Sequence, residues 1–102
     1  MSIECGKIEG PLEVRDDFQL DGMVTGDVVV ADGGHFILRG MCCQNLIVLQ
    51  GGTVELFGTV SGSVINRGGF LEVHGTIGGR LETVEGGDTY VDENAQVGGT
   101  SG

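Results

Sequence analysis

The sequence predicts an all-β chain folded as one parallel β-solenoid over residues 1–102, with three short strands per turn and about five turns of 16–18 residues. Three observations predict it. Gly-Gly pairs recur at Gly33-Gly34, Gly51-Gly52, Gly68-Gly69 and Gly86-Gly87, spaced by 18, 17 and 18 residues. A second series, Gly22, Gly40, Gly58 and Gly75, keeps spacings of 18, 18 and 17. Between these markers apolar residues fall two apart, as they do in strands with one buried face. Two independent markers sharing one period are the mark of stacked repeats, in which each turn buries its apolar face only against its neighbours.

The turns follow in order. Residues 5–17 form the first: Gly6, Ile8, Leu12 and Val14 match Gly22, Val24, Val28 and Val30 at a spacing of 16. Residues 18–34 open on Phe18 and Leu20, pass Gly22, and run through Val24, Val28 and Val30 to the first Gly-Gly pair. Residues 35–52 repeat the pattern with Phe36, Leu38, Gly40, Cys42, Leu46 and Val48. Residues 53–69 do so with Val54, Leu56, Gly58, Val60, Val64 and Asn66, and residues 70–87 with Leu71, Val73, Gly75, Ile77, Leu81 and Thr83. Residues 88–99 begin a partial turn on Thr89 and Val91. Stacked in parallel at about 4.8 Å, matched residues become internal ladders. Glycines are expected at the corners, where φ > 0 is needed. Asn66 falls in a column otherwise held by Val, so it is expected inside, with its amide bonded to backbone near a turn.

Composition narrows the class. Gly is abundant at 21 residues, but the glycines do not fall every third residue, which excludes collagen. Hydrophobic residues make up 39% and recur in register, against disorder. No stretch sustains a helical period. No apolar run approaches the roughly 18 residues of a membrane span, and the Met-Ser-Ile-Glu-Cys start lacks the features of a signal peptide. A soluble cytoplasmic protein without membrane insertion is expected. Fifteen acidic residues against five basic ones give a formal charge of −10, which repels phosphate backbones, so no nucleic-acid partner is expected. Cys5, Cys42 and Cys43 fit a reducing compartment. Adjacent Cys42 and Cys43 point to opposite faces of a strand, and two such ligands are too few for structural zinc.

The residues offer little chemistry. His35 and His74, the only histidines, read as isolated surface side chains. No nucleophile elbow is present, and no glycine run opens a helix to hold phosphate. Asp32 and Asp88 do not recur at the fixed offsets of calcium-binding repeats. Glu72 and Glu82 fall on different strands. No catalytic, cofactor-binding or metal residue is assigned, and the chain is expected not to be an enzyme. The surface signal is apolar instead. In the third strand of each turn the residue between the two inward columns is Glu13, Val29, Ile47, Ile65 or Glu82. Val29, Ile47 and Ile65 therefore stack as an outward, solvent-facing stripe flanked by acids, a candidate protein contact. Leu49 and Phe57 are further outward candidates.

The segments Phe36-to-Gly40, Val54-to-Gly58 and Leu71-to-Gly75, followed by Gly-Thr-Val-Ser-Gly (58–62) and Gly-Thr-Ile-Gly-Gly (75–79), resemble the bactofilin domain. The resemblance covers most of the chain and lies in the style of the repeat. It implies a right-handed, three-sided β-helix that polymerises end to end into nucleotide-independent filaments. Two functions follow as expectations. The first is a non-catalytic structural solenoid that self-associates or scaffolds, its partner a further copy or another protein. The alternative is a small acidic binding or inhibitory module, for example an immunity protein neutralising a basic toxin.

Overall fold

The computed structural model describes residues 2–84 and 86–99. Every regular element among them is a strand, and every strand pairing is parallel. The chain winds as a three-sided solenoid of about five turns, as the glycine period predicts. Side A is a six-stranded sheet of β1 (Ser2–Glu4), β4 (Asp17–Leu20), β7 (His35–Leu38), β10 (Thr53–Leu56), β13 (Phe70–Val73) and β15 (Asp88–Val91). Side B holds β2 (Lys7–Ile8), β5 (Met23–Val24), β8 (Met41–Cys42), β11 (Thr59–Val60), the start of β14 (Thr76–Thr83) and β16 (Gln96–Gly99). Side C holds β3 (Leu12–Val14), β6 (Val28–Val30), β9 (Leu46–Leu49), β12 (Val64–Arg67) and the end of β14.

Register follows the sequence columns. Phe18, Phe36, Val54 and Leu71 align through side A, and so do Leu20, Leu38, Leu56, Val73 and Val91. The core is these ladders and their counterparts on the other two sides, with Leu20, Leu38, Leu56, Val60, Val64 and Ile77 all fully buried. The ladder begins earlier than the predicted start at Cys5: β1 pairs with β4, putting Ser2 beside Phe18 and Glu4 beside Leu20. Neither Ser2 nor Glu4 is apolar, so the periodicity could not show this strand.

The glycines serve two purposes, and the expectation of φ > 0 at every corner is corrected. The first residue of each Gly-Gly pair does take positive φ, as at Gly51 (84°). The other series does not; there, successive turns approach too closely for a side chain. A Cβ on Gly58 would lie 2.0 Å from the Gly40 carbonyl oxygen, and one on Gly40 would lie 1.8 Å from that of Gly22.

One corner is a residue short. Gly34, Gly52 and Gly87 donate their N–H to the carbonyl three residues back, at Ala31, Leu49 and Val84 (2.9, 3.0 and 3.0 Å). In the fourth turn Gly68 follows Arg67 directly, and Asn66 stands three residues before Gly69. Its side chain takes over: Asn66 Oδ1 accepts from Gly69 N at 2.8 Å and from Gly68 N at 3.3 Å. Its Nδ2 donates to the Asp88 carbonyl at 2.8 Å and to Thr89 Oγ1 at 3.1 Å. Asn66 is fully buried and its polar atoms are satisfied, as the sequence leads one to expect.

Candidate protein-contact surface

Side C is built from the corner outward. At its first edge, side chains pin each turn to the next. Asp27 Oδ1 accepts from Asn45 N at 3.0 Å, Asn45 Oδ1 from Ser63 N at 2.9 Å, and Ser63 Oγ from Arg80 N at 3.1 Å. The sequence signal was there, since Asp27, Asn45 and Ser63 lie 18 apart, but short polar residues do not identify themselves as acceptors. This polar seam fixes the strands that follow it.

Those strands carry the stripe. Glu13, Val29, Ile47, Ile65 and Glu82 align in one ladder, each between two inward columns. Val29, Ile47 and Ile65 point outward, as predicted, but they are half-buried rather than fully solvent-exposed. Parallel stacking explains the difference: each β-branched side chain covers the flank of the next. Ala31 and Leu49, both half-buried, lie beside them in the column that Arg15, Arg67 and Val84 complete. The stripe and Leu49 therefore form one apolar surface, rimmed by Glu13, Arg15, Asp27, Arg67, Arg80 and Glu82. That rim holds three acids and three bases, although the whole chain has only five basic residues.

Phe57 does not join it. Phe57 turns the corner after β10, on side A, and is 48% exposed. Its ring stacks on His74, centroids 5.1 Å apart and planes at 13°, and Tyr90 follows 5.9 Å beyond. With Gln19, Ile37 and Arg39 it lines an open depression of about 370 Å³.

The two histidines are not isolated, contrary to their sequence reading. His35 Nε2 meets Glu55 Oε2, and its Nδ1 lies 3.7 Å from Asp17 Oδ1. His74 Nδ1 lies 3.3 Å from Asp92 Oδ2. These partners come from neighbouring turns, so their proximity depends on register that a linear scan does not weigh. Side A collects the acids: Asp17, Asp21, Glu55, Glu72, Asp88 and Asp92 lie on it or at its corners, against Arg39. Cys42 and Cys43 face opposite ways as predicted, buried and half-buried. Burial pushes the Cys42 thiol pKa up, while hydrogen bonding to the Gln44 backbone opposes the shift. That thiol is a small core residue rather than a nucleophile.

Among the described residues no three His, Cys, Asp or Glu side chains gather as metal ligands, and no helix is long and apolar enough to cross a membrane. No family model, curated protein or solved structure matches the chain.

Proposed function

We propose that the chain is a non-catalytic structural solenoid, resident in the cytoplasm, that associates sideways with further copies of itself through side C. The observation that carries this is the stripe of Val29, Ile47 and Ile65 with Leu49 beside it, on the side where acidic and basic residues balance. Two molecules of net charge −10 meet with least repulsion there. The bactofilin-like segments support self-association in general, but the end-to-end mode that the resemblance implies is not the sideways one proposed here. Size sets the strength. The principal extents are 35 × 24 × 21 Å, whereas a standard interface needs about 800 Å² from each partner. Nearly a whole side must be used, so the contact belongs to the weak class and forms at high concentration.

Sedimentation velocity across protein concentration tests this. The wild type should move from monomer to dimer. Ile47→Lys should keep its strand circular dichroism and remain monomeric, because the ammonium would be desolvated against an apolar surface. A wild type that stays monomeric at every concentration, in low and high salt, removes the proposal.

The acids gathered on side A favour a second reading, an inhibitory module for a basic partner. Salt separates the two: added salt weakens attraction between opposite charges, whereas it relieves repulsion between copies of an acidic chain.

A further inference from the structure

The two ends of the solenoid are not equivalent, and one residue makes the difference. β1 pairs on one edge with β4, and among the described residues its other edge has no strand partner. The register puts Glu4 in the column of Leu20, Leu38, Leu56 and Val73, each of which is fully buried. Among the described residues the same column ends at the opposite edge on Val91, which is 42% exposed. Of the positions Glu4, Ile8, Leu12 and Val14, which continue buried columns into the first turn, Glu4 alone has an acidic side chain. Glu4 is exposed, and its Oε2 accepts from Gly6 N at 3.0 Å.

From this we infer that Glu4 closes the N-terminal end against stacking by another copy. A second molecule continuing the parallel ladder would set Val91 of one copy onto Glu4 of the next. The carboxylate would then be desolvated inside a leucine column with no cation directed to it among the described residues, since Lys7 is directed to Glu9 at 3.9 Å. Inward-pointing charge on an edge strand is a general way of refusing edge pairing. The other axial arrangements are also opposed. Two N-terminal ends would bring two Glu4 carboxylates together, and two C-terminal ends would oppose the rims of Asp88, Asp92 and Glu93. Axial growth is therefore refused and association is left to the sides of the rod. The rest of the first turn is suited to stacking, since Ile8, Leu12 and Val14 continue the core.

Glu4→Leu tests the inference, with Glu4→Gln as a variant that removes the charge at constant shape. Glu4→Leu should tighten head-to-tail stacking by about a hundredfold or more. Light scattering should then show rods that lengthen with concentration, and Glu4→Gln should change in the same direction by less. Adding Val91→Lys to Glu4→Leu should abolish growth by charging the other end of the column. Asp16→Leu, which removes an exposed acid of the first turn outside the column, should leave the assembly as in wild type. The inference is overturned if both Glu4 variants, with strand circular dichroism intact, scatter like wild type. It is also overturned if Asp16→Leu lengthens as much as Glu4→Leu, or if the wild type itself forms long axial rods. The side-C proposal fails separately. A monomeric wild type beside an elongating Glu4→Leu removes that proposal and leaves this inference standing. A wild-type dimer that Ile47→Lys dissolves, beside Glu4 variants no longer than wild type, does the reverse.

Discussion

Asn66 occupies the place that Val30 and Val48 hold in the turns before it, and a consensus of the column would replace it with Val. The hydrogen bonds argue the opposite. Val at this position leaves the buried Gly69 N–H without its acceptor at 2.8 Å. An unsatisfied buried donor costs about 1–3 kcal/mol. Asn66→Val should lower stability by that amount in urea unfolding. Inserting one residue between Arg67 and Gly68 should restore most of the loss, because it rebuilds the corner of the third turn, where Gly52 N bonds the Leu49 carbonyl. Failure of the insertion to rescue would mean that Asn66 serves the next turn, through Asp88 and Thr89, more than its own corner. The sequence made the burial of Asn66 legible, and its need for backbone partners. The reason for an Asn lay in a single-residue deletion, which shows only as the step of 17 between Gly51 and Gly68. Glu4 was not legible at all: a lone acid near a chain start looks like surface until a strand pairing gives it a column.

Strands and corners were the most legible elements, because period-two apolar spacing and glycine spacing are local signals. Why each glycine is needed was not legible, since sequence cannot separate positive φ from close approach. The two causes predict different sensitivities. At Gly86, φ is 96° but a Cβ would meet nothing within 4 Å. Gly86→Ala should cost only the left-handed penalty, about 1–2 kcal/mol. A Cβ on Gly58 would stand 2.0 Å from the backbone oxygen of Gly40, and Gly75 repeats the constraint one turn on. Relief there requires two turns to separate, at about 3 kcal/mol or more. Thermal unfolding of the two variants should rank Gly58→Ala well below Gly86→Ala, and the reverse order would discard the close-approach explanation. The end of side C was equally hidden. β14 runs unbroken across two sides, and β16 pairs with it through a register shift between Ile77 and Arg80. No repeat count anticipates that.

At the scale of the whole molecule, charge total was legible and charge placement was not, because placement depends on which residues the turns bring onto one side. Side A gathers acids in register, with Glu55 directly beside Glu72, and like charges so placed destabilise a sheet. Screening should therefore raise the melting midpoint between low and about 0.5 M salt. A midpoint that falls instead would show that pairs such as His35 with Glu55 outweigh the repulsion. The parallel ladder has one further consequence, for heredity. Among the described residues each turn is hydrogen-bonded only to the turns on either side, at offsets such as the 18 residues between β7 and β10, and no tie among them reaches across the rod to fix its length. An in-frame duplication of one such unit in the gene adds a turn and leaves every existing pairing in place. A change of one codon does not, unless it falls at a corner where a side chain can stand in for the lost backbone, as Asn66 does. A duplication of that kind would lengthen the rod by a whole turn while β1, with Glu4, and β15 keep the outer edges of side A.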